Sequence, residues 1–356
     1  MSEPAPIRLG VLDQSPVAEG TSGAEALRNT IALARRAEEL GYGRYWVAEH
    51  HGGPLLAGAS PEALIGPIAS ATSTMRVGSG GVMLPHYSPL KVAESFSVLA
   101  GLFPGRIDLG IGRAAGTDPT TTYALQRNRQ AGALDDFPEQ LAELMAYLRD
   151  EIPDDHPFRR LTALPGLPEA PELWLLGSSA QSAVWAAELG LPYAFADFIN
   201  AQGAGYAAHY RDDYVASAQN PAPRVIAAVS AICADTDEEA ERLAASVTMA
   251  MRLLRRGHLI PLPPVETALA WIADEDARRR AQDDPGRPRR SARRMVVGSP
   301  STVRAGLEQA AAEYGAQELL VVTITYDHAA RVRSYELIAD AFALGRSPAA
   351  VGAAPA

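Results

Sequence analysis

Apolar residues in this chain fall into short unbroken runs, separated by longer stretches in which they recur every three or four positions. The runs IRLGVL, RYWVA, RVGSGGVML and RIDLGIG in the first half, and ELWLLG, YAFADF, RVIAAVSAIC and ELLVVTIT in the second, predict strands. Helical patterning follows each of them in turn, at 23–40, 61–72, 89–102, 135–150, 180–189, 203–218, 237–254 and 329–343. A strand that is apolar without alternation is buried on both faces, as parallel strands covered by helices are. Eight strand–helix units favour closure into a (β/α)8 TIM barrel over an open doubly wound sheet.

Helix starts support the count. Ser60-Pro61, Ser88-Pro89 and Ser299-Pro300 each place a serine N-cap before a proline at the first helical position, where its missing N–H costs nothing. Ser22 and Glu25 have capping-box spacing. Neither an internal repeat nor a domain-splitting linker is visible, so residues 1–356 read as one domain with two insertions, near 113–133 and 255–297, and a disordered tail at about 346–356. The second insertion opens with a short helix, runs into the arginine-rich stretch RRRAQDDPGRPRRSARR (278–294), and is followed by a further helix at 300–314. That stretch reads as a solvated surface insertion, or as a lid or docking loop.

Composition narrows the classes of function. With 47% hydrophobic and 21% charged residues the chain can bury a large core, and it has no apolar run long enough for a membrane helix. The first residues, MSEPAPIRLG, lack the features of a signal peptide, which points to a cytoplasmic protein. A net charge of −10 repels phosphate backbones, so nucleic acid is not an expected partner. The single cysteine, Cys233, excludes an internal disulfide and a thiolate cluster.

In barrels of this class the chemistry gathers at the C-terminal strand ends. The second strand ends in Glu49-His50-His51. A histidine there can be an acid/base group, a metal ligand completed by Asp13 and Asp197 at other strand ends, or a hydrogen-bonded loop residue. Adjacent histidines on an extended segment face opposite ways, which disfavours a shared ion. Gly78, Gly80 and Gly81 interrupt the third strand and imply either a bulge or the close approach of a flat ring. The serine-rich turn GSSAQS (177–182) opens a helix, where unpaired amides and the helix dipole suit a phosphate. GIGRAAG (110–116) has near-dinucleotide glycine spacing, but TDPTTTYAL after it reads as loop, which argues against nicotinamide there.

Taken in order from about residue 7 to 345, the blocks LGVLDQSP, ELGYGRYWVAEHH, VGSGGVMLPHYSPLKVAESFSVL, FPGRIDLGIGRAAGTD, LLGSSAQSAVWAAELGLPYAFA and VVGSPSTVRAGLEQAAAEYGAQELLVVTITYDHAARVRSYELIADAF resemble the bacterial-luciferase-like flavin-dependent monooxygenases, in particular their LDxSP-containing single-chain branch. The resemblance implies His50 as the active-site base beside the reactive edge of the flavin. It implies a non-proline cis peptide at Gly80-Gly81 supporting the isoalloxazine ring, Arg113 as a phosphate ligand, and Ser178, Ser179 and Ser182 with the helix amides as a second phosphate clamp. Gly112 stands where the luciferase subunit itself has a reactive cysteine, so nothing that depends on that thiol carries over.

The resemblance further implies FMN, reduced by a separate flavin reductase, with dioxygen as co-substrate and a homodimer built on the helices at 61–72 and 89–102. The organic substrate is expected to be hydrophobic, an aromatic secondary metabolite among the candidates. Met83, Tyr87, Phe195 and Phe198 are the side chains near strand ends that could line its pocket. Epoxidation, hydroxylation and Baeyer-Villiger insertion all stay open. The competing readings are a deazaflavin-dependent dehydrogenase on the same barrel, a non-catalytic flavin-binding protein and a metal-dependent barrel hydrolase.

Overall fold

The structure, a computed structural model, describes residues 7–113, 118–126, 136–166, 169–282 and 295–345. Its strands are β1 (Arg8–Asp13), β2 (Arg44–Val47), β3 (Arg76–Met83), β4 (Ile107–Gly112), β5 (Glu172–Gly177), β6 (Tyr193–Ala196), β7 (Val225–Cys233), β8 (Met295–Gly298) and β9 (Glu318–Val322). The helices are α1 (Gly23–Glu39), α2 (Pro61–Ala71), α3 (Pro89–Leu102), α4 (Pro119–Leu125), α5 (Phe137–Arg149), α6 (Ala180–Glu188), α7 (Ala204–Asp212), α8 (Asp237–Leu254), α9 (Val265–Gln282), α10 (Pro300–Tyr314) and α11 (His328–Ala341). Strands β1 to β7 and β9 pair in parallel, and β9 returns to β1, so eight strands close the barrel predicted from the sequence. Among the described residues no helix is long and apolar enough to cross a membrane.

Several expectations need correction, the first concerning strand number. The ninth strand, β8, lies at the end of the segment assigned to an insertion. Ser230 of β7 pairs with Val322 on one side and Met295 on the other, so β8 takes the edge of β7 that β6 leaves after Ala228. Four residues directly after the arginine-rich stretch are too short a run to read as a strand. Second, the polar run after Gly116 is not all loop: Pro119 stands at the first position of α4, and Asp118 caps it by accepting from Thr120 N and Thr121 N. Third, the short helix expected early in the second insertion is α9, 18 residues long and ending within the arginine-rich stretch. The rest of that stretch, most of the first insertion and the tail at 346–356 lie outside the described residues.

Helix α7 also stops before residue 218, because Val215 N donates to Ala187 O and the Tyr214 hydroxyl to Gly190 O, drawing the chain back onto α6. The serines expected as N-caps occupy that position in α2, α3 and α10, but none makes a side-chain capping bond, whereas Ser22 Oγ accepts from Glu25 N at 3.2 Å.

The two-residue period of the strands sorts the core into two layers. Leu9, Val11, Tyr45, Val47, Leu319 and Val321 face the helices, while Leu12, Trp46, Trp174, Ala228 and Leu320 fill the interior. At the N-terminal end the interior is closed by charge. Arg44 donates from Nε to Glu318 Oε1 at 2.7 Å and from Nη1 to Asp108, and Asp108 also accepts from Arg76 and, at 2.8 Å, from Trp46 Nε1. The Arg44 guanidinium lies 5.5 Å and 5.0 Å from the ring centres of Trp46 and Trp174. Burying these charges is tolerable only because each is paired and hydrogen-bonded.

Arg44→Ala strips Asp108 and Glu318 of a buried cation and is predicted to cost about 3 to 5 kcal/mol of stability in urea unfolding; a loss within about 0.5 kcal/mol would show that the cluster is not under that constraint.

Candidate active site

A cavity of about 450 Å³ opens among the C-terminal strand ends. Every barrel strand contributes to it: Leu12 from β1, Trp46 and His50 from β2 and the turn after it, Gly80, Gly81 and Met83 from β3, Gly112 and Arg113 from the end of β4, Leu176 from β5, Ala194 from β6, Ala228 from β7 and Leu320 from β9. A second cavity of about 330 Å³, lined by Glu25, Asn29, Asp327, His328 and Arg331 among others, sits between α1 and α11 and holds none of the sequence-predicted site residues.

His50 reaches the first cavity because it extends the inward row Arg44, Trp46, Ala48. Glu49 also lines the cavity, whereas His51 does not, and the two bond to each other, His51 Nε2 to Glu49 Oε1 at 2.7 Å. Glu49 also accepts from Met83 N at 2.9 Å and from the Tyr87 hydroxyl at 3.0 Å, which ties the end of β2 to the end of β3. Burial pushes the Glu49 pKa up against these three bonds.

His50 Nδ1 is a buried atom with no hydrogen-bond partner among the described residues. Burial, and secondarily the nearby His51, lower the His50 pKa to about 4. The imidazole is therefore neutral at pH 7 and has lone-pair capacity that no described protein group uses.

The bond between Gly80 and Gly81 is cis, as the resemblance implies. A Cβ on Gly80 would stand 2.6 Å from Leu12 Cδ1 and 3.1 Å from Trp46 Cβ; one on Gly81 would stand 2.6 Å from Gly110 O. The glycines are thus already required by the packing of β3 against its neighbours, where the register with β4 shifts between Gly80 and Val82. The bulge expected from the sequence is found here.

At the other side of the cavity, Arg113 lies 5.6 Å from the centre of the Trp185 ring, over the start of α6. Ser179 is the N-cap of α6 but makes no side-chain capping bond, and Ser178 and Ser179 line the cavity. Ser182 lines it as well, yet its hydroxyl donates to Ser179 O at 2.9 Å and stands 3.2 Å from the Tyr193 hydroxyl. A serine has one proton to give, so the Ser182 hydroxyl proton is already used within the fold, while Arg113, Ser178 and Ser179 line the cavity.

Of the residues expected around a substrate, Met83, Phe195 and Phe198 line the cavity and Tyr87 does not; its hydroxyl is taken by Glu49. Phe195 is fully buried, with its ring packed against Tyr314 at 5.2 Å and Tyr193 at 6.1 Å. Asp13 and Asp197, weighed as metal ligands, are engaged by Arg331 and by the Tyr314 hydroxyl. Gln14 lines the cavity and was not singled out from the sequence. The signal was present: Gly10, Leu12 and Gln14 continue one inward alternation.

The residues present fit an anionic flavin nucleotide. A flat ring would have apolar walls in Trp46, Leu176 and Phe198 with the His50 imidazole at its edge, and a phosphate would have Arg113 and the amides opening α6.

Comparison with known proteins agrees. A family model described as luciferase-like monooxygenase matches residues 7–318. An N-acetyl-S-alkylcysteine monooxygenase of Bacillus subtilis is 36% identical over 94% of this chain and 98% of its own. The structure of apo-MsnO8 superposes with a TM-score of 0.84 at 43% identity, covering 96% of this chain and 99% of that one. At the level of fold alone, the barrel also matches an FMN complex, the oxygenating constituent of 3,6-diketocamphane monooxygenase from Pseudomonas putida (TM-score 0.68, 22% identity, 94% and 97% covered), and an F420-dependent secondary alcohol dehydrogenase (TM-score 0.67, 13% identity, 95% and 99% covered). Fold by itself therefore does not choose between the two cofactors.

The buried neutral imidazole yields a stability prediction. His50 in the unfolded chain titrates near 6.5 and in the fold near 4, so between these values the unfolded state takes up protons that the folded state refuses. Stability is lost as pH falls from 6.5 to 4, by roughly 3 kcal/mol in total. In thermal or urea unfolding, His50→Asn should flatten that part of the profile, whereas an unchanged slope would place the acid sensitivity elsewhere.

Proposed function

Because the chain belongs to the luciferase-like monooxygenase family, we propose that it is an FMN-dependent monooxygenase of the two-component type. Reduced FMN comes from a separate flavin reductase, and one atom of dioxygen enters a hydrophobic organic substrate while the other leaves as water. The observation that carries this reading is the pairing, in one cavity, of a neutral imidazole whose Nδ1 has no hydrogen-bond partner among the described residues with Arg113 and the start of α6, groups that suit an anion.

When bound and reduced, the flavin supplies the electrons that activate dioxygen. The protein's part is binding, orientation, proton handling and exclusion of water. Arg113, Ser178, Ser179 and the α6 amides hold the phosphate, and the Gly80-Gly81 segment and the apolar walls hold the ring. His50 accepts and returns a proton at a ring nitrogen, which its lowered pKa leaves free at neutral pH. Glu49, through His51, Tyr87 and Met83 N, keeps the β2 and β3 ends in register so that His50 and the glycine segment stay aligned. Leu176, Phe198 and Met83 keep water from the reacting atoms. The exposed Val98 and Leu102 on α3 support a homodimer through that face.

Titration with FMN tests the reading: Arg113→Ala should weaken binding by about tenfold or more. Equal affinity in both proteins would remove Arg113 from the phosphate site, and tighter binding of F420 than FMN, with no oxygen uptake, would replace the reading with a deazaflavin-dependent dehydrogenase.

A separate expectation concerns coupling. With a flavin reductase present, His50→Ala should keep consuming dioxygen but release it largely as hydrogen peroxide, with product formation down by about a hundredfold. Parental product yield would refute the proton role.

A further inference from the structure

The role proposed for the cavity leaves one of its polar side chains unused. Gln14 lies one alternation above Leu12, lines the cavity and is 6% exposed. Its carboxamide offers two donor hydrogens and an acceptor oxygen, yet makes no hydrogen bond with any described residue. Ala48, Ala196, Ala228 and Leu320, which share the cavity wall, have no side-chain polar atom to give it. The amide atoms are not sealed within the protein and face the open cavity, where a ligand can reach them.

The backbone on either side of Gln14 is fixed from outside the barrel. Asp13 Oδ1 accepts from Arg331 Nη2 at 2.5 Å and from Ser15 N at 2.7 Å, and Asp13 Oδ2 accepts from the Tyr45 hydroxyl at 2.5 Å. Ser15 Oγ is 2.8 Å from Thr30 Oγ1, and Ser15 has φ 50°, a left-handed conformation that a serine seldom adopts. Strain of this kind persists where the surroundings over-determine it, commonly at ligand clamps. Here it turns the chain so that Asp13 and Ser15 are anchored outward while Gln14 is directed in, a preorganised mount for one amide.

We infer that Gln14 is a specificity-determining residue: its carboxamide receives a neutral hydrogen-bonding group, an amide or similar carbonyl, on an otherwise apolar substrate held beside His50. A neutral group suits the site because the carboxamide is itself uncharged and the strands flanking β1 bring Ala48 and Leu320 to the cavity, so an ion resting on Gln14 would not be neutralised by it. Arg113 follows β4, with β2 and β3 between it and β1. The inference rests on the proposed oxygenase reading for the fate of the substrate, but not for its binding.

Calorimetric titration with three probes of one shape tests it: 3-phenylpropanamide, its hydrocarbon isostere 3-methylbutylbenzene, and 3-phenylpropanoate, each with and without FMN. In Gln14→Leu, amide affinity should fall by about tenfold while hydrocarbon affinity changes by less than about twofold, the difference isolating the amide contact. Gln14→Met, unbranched, should repeat the pattern and guards against a packing defect. The parent should hold the amide more tightly than the carboxylate at pH 7. The inference is overturned if the parent binds no amide, if both neutral probes weaken equally, if the carboxylate is preferred, or if the substitution reduces FMN affinity and leaves the amide unaffected. Failure of the parent to bind FMN, with the amide pattern intact, would instead remove the oxygenase reading alone.

Discussion

Arg44, held between Asp108 and Glu318 under the paired rings of Trp46 and Trp174, closes the floor of the barrel, and the rest of the interior is built on that closure. Eight parallel strands enclose a space that side chains must fill or leave for a ligand. Here the lower part is filled by a charge cluster and two indoles. Above them the inward positions become small: Ala48, Ala194, Ala196 and Ala228, with glycines at 80, 81 and 112. A large, neutralised floor and a wall of small residues leave one cavity at the C-terminal strand ends.

The same alternation that builds the floor delivers the chemistry. Arg44, Trp46, Ala48 and His50 form one inward row, so the imidazole rises from the ion cluster in steps of two residues. The alternate row, through Glu49 and His51, is spent on holding β2 to β3. On β1 the row Gly10, Leu12, Gln14 runs parallel to it, with Asp13 clamped to Arg331 of the last helix. Two neighbouring strands thus place one neutral imidazole and one amide at the cavity, each held by bonds that the adjoining residues make.

Much of this could be read from the sequence because the barrel's signal is local. Continuous apolar runs identify parallel strands, serine–proline pairs mark helix starts, and EHH at a strand end brings His50 to the cavity. What escaped depended on context. Met295–Gly298 is too short to read as a strand until β7 offers it an edge. The helix at Pro119–Leu125 is polar and short, so no apolar stripe betrays it, and its evidence lies in the Asp118 cap. Ser182 has the right type and spacing for a phosphate donor, but the proximity of Ser179 O and Tyr193 decides where its proton goes. Gln14 is a lone neutral amide between Asp13 and Ser15, and only the inward period Gly10, Leu12, Gln14 marks it as facing the cavity.

At the cavity itself, burial sets the chemistry at both sides. It lowers the His50 pKa and leaves that imidazole a base, while Arg113 stays near the surface against Trp185, where it can meet an anion arriving from solvent. The central claim is that one ligand with a phosphate tail and a flat head spans these two groups. A crystal structure of the protein with FMN is the direct measurement. The account predicts the phosphate against Arg113, Ser178 and Ser179 and the ring on the Gly80-Gly81 segment beside His50; a phosphate lodged instead in the cavity beside Arg331, or a cavity that stays without FMN at saturating concentration, would contradict it.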